Sequence, residues 1–268
     1  MTVSLTWVDA FVRDGRPFTG NPAAVCLLHT ELPDDFMQSL AFELGIAETA
    51  FVLPTDEPNT FGLRWFSPAT EIDLCGHATM PSAHALRQHG VVDGQSTLTF
   101  HTRSGPLQAS FTDERIELDF PAANGGVITL PDSLAGQWGD DEVVFVSRGE
   151  FFVMVVLRSE AAVRDYVPDL TAIAATGDKA LLLTAAAEPS SAAHYVLRVF
   201  GPNVGIDEDP ATGSAQCMAG PYWFSTLGLT DLVAHQLSPR GAVLHVRPQA
   251  GRICIAGQAH SVLSGHLC

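Results

Sequence analysis

A handful of side chains and two glycines could carry chemistry. Glu48 sits in the apolar run Gly45-Ile-Ala-Glu-Thr-Ala-Phe-Val52. Loss of hydration favours the protonated form of a carboxyl group, which suits a general acid or base. The competing reading is an outward-facing glutamate on an edge strand. Asp209 lies in Asp207-Glu-Asp-Pro210, just ahead of Gly213-Ser214-Ala215. It could be a second acid at the same chemistry or simply a helix-entry residue, and three acids in a row repel one another and need a reason. Gly76-His77-Ala78-Thr79 has a similar look, a glycine at the start of an expected helix. Free N–H groups and the positive end of the helix dipole make such a terminus an anion site, so two of them could hold one carboxylate from both sides. His77, under that dipole, would stay a neutral imidazole able to donate or accept. With His84 it forms an i, i+7 pair, too few ligands for zinc, and no His-Glu-x-x-His is present, so no metal is expected. Cys75 could act as a thiol at a helix N-terminus.

These residues fall into two copies of one pattern. Leu63-Arg-Trp-Phe-Ser-Pro68 matches Leu197-Arg-Val-Phe-Gly-Pro202, and Ile72-Asp73 matches Ile206-Asp207, all at an offset of 197 − 63 = 134. After a three-residue insertion, Cys75-Gly-His-Ala78 meets Thr212-Gly-Ser-Ala215. Self-similarity of this kind indicates a duplicated unit, and the absence of a third copy in the sequence excludes solenoids and propellers. The halves are expected at 1–120 and 127–256, joined by Pro121–Gly126, with a final strand over 257–268 able to return to the first half. Strands are expected at 3–11, 23–28, 46–53, 61–66, 96–102, 107–111 and 115–120, then at 143–146, 151–157, 180–184 and 194–200. A helix opens at Pro33 with Phe36, Leu40 and Leu44 on its apolar stripe and closes on Gly45. Further helices are expected from Gly76 to Gly90, near 165–176, and from Gly213, where Ser214–Leu227 is uncharged and should be buried nearly all round. Pro221 should kink or end that helix, while Pro81 falls near the first turn of its counterpart.

The 268 residues carry 46% hydrophobic and 16% charged side chains and a net charge of -16. That composition gives an α+β globular protein with a core large enough to need no staples. Lys179 is the sole lysine among 14 basic residues, so no basic stripe for nucleic acid, no P-loop and no Schiff-base lysine motif can be assembled. Five cysteines without a Cys-x-x-Cys pair fit reduced thiols. The first nine residues lack a signal-peptide pattern, and the longest apolar run, Phe151–Leu157, is too short for a bilayer; a cytoplasmic protein with no membrane or nucleic-acid partner is expected.

Val8-Asp-Ala-Phe11, Phe18-Thr-Gly-Asn-Pro-Ala-Ala-Val25, Ala47-Glu-Thr-Ala-Phe-Val52, Leu63-Arg-Trp-Phe-Ser-Pro68, Leu74-Cys-Gly-His-Ala-Thr79, Gly205–Ala215, Pro221-Tyr-Trp223 and Gln236–Gly241 together resemble the PhzF-like family of phenazine-biosynthesis isomerases, within the diaminopimelate-epimerase-like superfamily. The resemblance covers nearly the whole chain in order. It implies two pseudo-symmetric halves, each a β-barrel-like sheet wrapped around a central helix, a site in the cleft between them, and a homodimer. It makes Glu48 the acid/base, Asp209 a second acid, His77 a site histidine, and Gly76, Gly213 and Ser214 the donors around a small anionic substrate. The implied reaction is a cofactor-independent proton shift in dihydro-hydroxyanthranilate or a similar cyclic acid. Two alternatives stay open: an amino-acid racemase or epimerase, and a non-catalytic small-molecule binder. The related epimerases use paired thiols; here Cys75 has Thr212 as its partner position, which argues against two-base racemisation. Ala242 after Arg240-Gly241 and Met80-Pro81 after Thr79 depart from the family pattern without touching the acid.

Overall fold

The computed structural model describes residues 3–72, 76–112, 114–123, 125–139 and 141–267, with 76 and 77 by their backbone alone. The chain divides into two compact units, 1–119 with 256–268, and 120–255. In chain order the elements are β1 (Ser4–Ala10), β2 (Asn21–Leu27), α1 (Asp34–Leu44), β3 (Glu48–Pro54), β4 (Thr60–Phe66), β5 (Glu71–Ile72), α2 (Gly76–Gln88), β6 (Leu98–Thr102), β7 (Gly105–Phe111) and β8 (Ile116–Pro121). The second series is β9 (Gly126–Val127), β10 (Val143–Arg148), β11 (Phe152–Leu157), α3 (Glu160–Arg164), α4 (Leu170–Ala174), β12 (Ala180–Ala186), β13 (Tyr195–Gly201), β14 (Ile206–Asp209), α5 (Gly213–Leu227), β15 (Leu232–Gln236), β16 (Ala242–Gln249) and β17 (Arg252–Gly257). The last strand, β18 (Ala259–His266), pairs antiparallel with β1 in the first unit.

The units repeat one pairing scheme. In the first, β1–β2 is antiparallel, β2–β3 parallel, β3–β4 antiparallel and β4–β6 parallel. In the second, β10–β11, β11–β12, β12–β13 and β13–β15 follow the same alternation. The registers agree as well. Thr60 pairs with Thr99 and Tyr195 with Ala234, a separation of 39 residues in both units. The fold is α+β, with two related halves.

Register corrects the repeat in one place. Trp65 pairs with Ile72, whereas its counterpart Val199 pairs with Asp209, not Ile206. The insertion therefore lies before β14, as a 3-10 turn over Pro202–Val204 closed by Gly205 at φ 79°. The offset from there is 208 − 71 = 137, which makes Glu71 the counterpart of Glu208 and leaves Gly76 matched to Gly213.

Each unit buries its sheet on two sides. In the second, β11 is buried along its whole length, as expected for a parallel strand covered on both faces. Val153, Leu181, Leu183, Val196 and Phe200 form a cluster with Val163 and Ile173 of α3 and α4. At about 1.5–3 kcal/mol for each fully buried large apolar side chain, such a cluster outweighs any single ion pair. The expected helix near 165–176 is the short α4 alone, and an unexpected α3 precedes it; each is opened by a side-chain cap, from Asp169 and Ser159, and they are separated around Val167-Pro168, where proline disfavours a helical predecessor. In the first unit α1 packs on Cys26, Phe51 and Phe66 through Met37 and Ala41, with Leu40 and Leu44 at the margin. Phe36 is 44% exposed, so the expected stripe is displaced by one residue.

The long helices begin at the two glycines. Pro221 neither ends nor interrupts α5, which runs on to Leu227 and closes on Gly228 at φ 67°. A proline lacks the N–H that would reach the carbonyl four residues back, and here the Ala123 N–H donates to the Cys217 carbonyl instead, at 2.9 Å. Burial of α5 holds from Gly213 to Gly220 and at Trp223, then gives way to an exposed last turn. Pro81 stands sixth in α2, in its second turn. Among the described residues no helix is long and apolar enough to cross a membrane.

Candidate active site

In the first unit, Glu48 is placed by the turn that ends α1 and by the loop that leads into the neighbouring strand β2. Gly45 ends α1 in the left-handed conformation, φ 64°, its N–H donating to the Ala41 carbonyl at 3.2 Å, and the chain enters β3 at Glu48. Glu48 lies opposite Ala23 of β2 and is 7% exposed; it is not an outward-facing edge residue. Its neighbour strand is anchored by a loop with little freedom. A Cβ on Gly20 would come within 2.0 Å of the Ala10 carbonyl oxygen, so only glycine fits, and the buried Asp9 carboxylate accepts the Phe18 N–H at 2.8 Å. Strand alternation then sets Asn21, fully buried, on the same face as Ala23 and Glu48.

Gly76 begins α2 as expected, and residue 77 lies in its first turn. The side chain of His77 lies outside the described residues, as does all of Cys75.

In the second unit the acidic run finds its reason. Glu208 pairs with Arg198, Nε to Oε1 at 2.8 Å and Nη2 to Oε2 at 2.9 Å. The remaining arm of Arg198 donates to the carbonyls of Arg164 and Tyr166 at 3.1 and 2.7 Å. Its neighbour Asp209 accepts the Thr212 hydroxyl at 2.6 Å, while Asp207 is exposed. Three adjacent acids therefore meet three environments, and only one of them remains in open solvent. The same brace occurs in the first unit: Arg64 donates to Glu71 at 2.7 and 2.8 Å. There it is more exposed and extends to Asp34, whose carboxyl is held below its usual range by the hydrogen bond from Arg64. In both units the arginine–glutamate pair ties down the short strand that leads into the glycine helix start. The pairing was invisible in the sequence because the spacing is seven residues in one copy and ten in the other.

Gly213, buried, and Ser214, half-buried, open α5. The first N–H groups of a helix have no partner within it, so this end can receive an anion. Behind it runs a buried polar chain: Gln236 to Thr212 at 2.7 Å, Gln216 to the Thr212 carbonyl at 3.2 Å, and Tyr195 donating to Gln216. Burial, and then Cys217, pushes the Tyr195 phenol well above its ordinary range, so it stays a donor. The structure thus brings Asp209, Gly213 and Ser214 together at the start of α5 in the second unit and sets Glu48, buried, at the start of β3 in the first. Among the described residues no group of three or more His, Cys, Asp or Glu is gathered as metal ligands.

Comparison with known proteins adds the family. The model of the phenazine biosynthesis-like protein family matches residues 8–265. An uncharacterised isomerase of Halalkalibacterium halodurans is 38% identical over 100% of this chain and 99% of its own. A crystal structure of a phenazine biosynthesis protein of the PhzF family from Enterococcus faecalis superposes with a TM-score of 0.92 at 35% identity, covering 100% of both chains. A probable proline racemase from Agrobacterium radiobacter superposes at 0.69 with 12% identity, over 99% of this chain and 93% of its own, and shares the fold.

Proposed function

Because the chain belongs to the phenazine biosynthesis-like (PhzF) family, with relatives named as isomerases, we propose that it is a cofactor-independent isomerase that shifts a proton within a small carboxylated, cyclic substrate such as dihydro-hydroxyanthranilate. Glu48 is the acid/base. Its carboxylate takes a proton from one ring carbon, the C–H electron pair moves into the neighbouring double bonds, and the resulting carboxylic acid returns the proton to a second carbon. One group serves both transfers, so no external oxidant or reductant is needed. Asp209 and His77 hold the polar groups of the substrate, and the helix starts at Gly76, Gly213 and Ser214 receive its carboxylate. The reading also expects a homodimer in a cytoplasmic setting, with the dimer checked by sedimentation.

The observation that carries the proposal is a glutamate only 7% exposed at the first residue of β3, a position at which the second unit has Ala180. Against the epimerase reading stands Thr212: it fills the position of a second thiol, and its hydroxyl is already donated to Asp209.

The test is turnover of dihydro-hydroxyanthranilate in deuterated water. Wild type should incorporate solvent deuterium at the newly protonated carbon, and Glu48→Gln should lose roughly 10²–10⁴-fold in rate, the usual worth of a positioned acid/base, with its circular dichroism unchanged. An active Glu48→Gln removes Glu48 from the mechanism. Deuterium at an amino-acid α-carbon with inversion would favour the epimerase, and thermal stabilisation by the probe without conversion would favour a binder.

A further inference from the structure

We propose that Gln236 is a positioning residue that aims the Asp209 carboxylate through Thr212, a lock described in the second unit. The proposal rests on the role given to Asp209 above. Gln236 ends β15 and is 1% exposed. Its Oε1 accepts the Thr212 N–H at 2.7 Å, and its Nε2 donates to the Asp209 carbonyl at 2.7 Å and to the Thr212 hydroxyl at 3.1 Å. Flipping the amide would set a donor against the Thr212 N–H and an acceptor against the Asp209 carbonyl, so the orientation is fixed by the partners. Having accepted from Gln236, the Thr212 hydroxyl has one proton left, and it goes to Asp209 Oδ2 at 2.6 Å. The direction runs one way, from amide to hydroxyl to carboxylate.

Two details argue that this is more than packing. Thr212 is the N-cap residue of α5, yet its side chain makes no cap hydrogen bond; the hydroxyl forgoes the stabilising bond typical of that position and serves Asp209. The counterpart of Gln236 is Thr102, since Val196 pairs with His235 where Gly62 pairs with His101. Among the described residues Thr102 bonds within its own hairpin, donating to the Gly105 carbonyl at 2.6 Å and accepting the Ser104 N–H.

The experiment is a double-mutant cycle between Gln236→Met and Asp209→Asn, read as kcat/KM for dihydro-hydroxyanthranilate. If Gln236 acts through Asp209, Gln236→Met alone should lower kcat/KM about tenfold and should cost nothing further once Asp209→Asn is present; Thr212→Val should behave the same way. Losses that multiply in the double variant would overturn the proposal, because a residue that only supports the fold does not need Asp209 to exert its effect. A second readout needs no turnover. The carbon-13 signal of the Asp209 carboxyl should titrate with a higher midpoint in Gln236→Met and in Thr212→Val, since donated hydrogen bonds favour the ionised form. An unmoved midpoint overturns the lock. If wild type converts no probe while the midpoint moves, the lock stands and the isomerase reading falls.

Discussion

Around Phe66 and Phe200 the two units pair their strands alike, and the same positions are put to different use. Val52 lies opposite Leu63 and Thr184 opposite Leu197; in the second unit the Thr184 hydroxyl accepts the Trp223 indole N–H at 2.9 Å, where the first has valine and, at Trp223's position in α2, Leu86. Phe61 matches Tyr195, and Thr102 matches Gln236. The first unit has apolar contact at these matched positions and bonds α2 to β18 elsewhere, through His84 and Gln88; the second ties α5 to its sheet at them with a chain of directed hydrogen bonds. Conversely the first unit has Glu48 where the second has Ala180. The two copies share a backbone scheme and differ in their buried polar groups: a buried acid in one, an oriented polar network in the other. A satisfied buried network restricts side chains to one arrangement, which suits holding a ligand, whereas a proton-transfer group needs only a fixed position and reach.

This division can be broken at matched positions. The largest difference in stability should come from the arginine braces. Arg198 is buried and fully committed to Glu208 and to the carbonyls of Arg164 and Tyr166, so Arg198→Met leaves a half-buried carboxylate and two carbonyls without their donor and should cost about 3–5 kcal/mol in urea unfolding. Arg64→Met should cost about 0–1 kcal/mol, because Arg64 is more exposed and Glu71 keeps a second ion pair, with Arg103 at 2.6 Å. Equal losses would mean that the braces are equivalent after all.

Next comes an exchange across the repeat. Tyr195→Phe leaves the Gln216 carbonyl without its donor and should destabilise by about 1–3 kcal/mol. Phe61→Tyr, beside Phe100 at 6.0 Å, adds a buried hydroxyl to an apolar site and should also destabilise rather than improve. A stabilised Phe61→Tyr would show that the first unit has a polar partner waiting.

The smallest effect concerns pH. His84 of α2 is largely buried, bonded to Ser261 at 2.9 Å, and held down to about 4 by desolvation, then by Arg87 and His260. With the folded value below the unfolded one of about 6.5, the unfolded chain binds the extra proton, so stability is full above about pH 6.5 and declines as pH falls toward 4. The slope should not exceed about 1.4 kcal/mol per pH unit, and His84→Gln should flatten it. The corresponding position in α5 is Pro221, and α5 carries no Asp, Glu, Lys, Arg or His, so variants there should leave the slope unchanged.

Much of this was legible in the chain. Gly76 and Gly213 announced both long helices, because glycine punctuation followed by an uncharged run leaves few alternatives, and the Leu-Arg-x-Phe-x-Pro repeat located the matched strands. Less legible was anything resting on contact between distant segments. The stripe on α1 shifted from Phe36 to Met37 because the face of the sheet, not the helix, selects the buried side. The three-residue insertion was misplaced since Ile72-Asp73 and Ile206-Asp207 look alike as letters, while the ladder puts Ile72 against Asp209's place. Strands β14 to β17 went unread past Phe200, and with β15 went Gln236.

By itself the sequence determined the composition of the core, the duplication, the family pattern and the identity of the candidate acid, all properties of residue type and local order. Tertiary structure alone decided which glutamate each arginine takes, that Asp209 faces Thr212 while Glu208 faces Arg198, and that Gln236 closes the loop ahead of α5. Hydrogen bonds of that kind join residues three to 27 positions apart, and their geometry exists only once hydrophobic burial has brought the strands together.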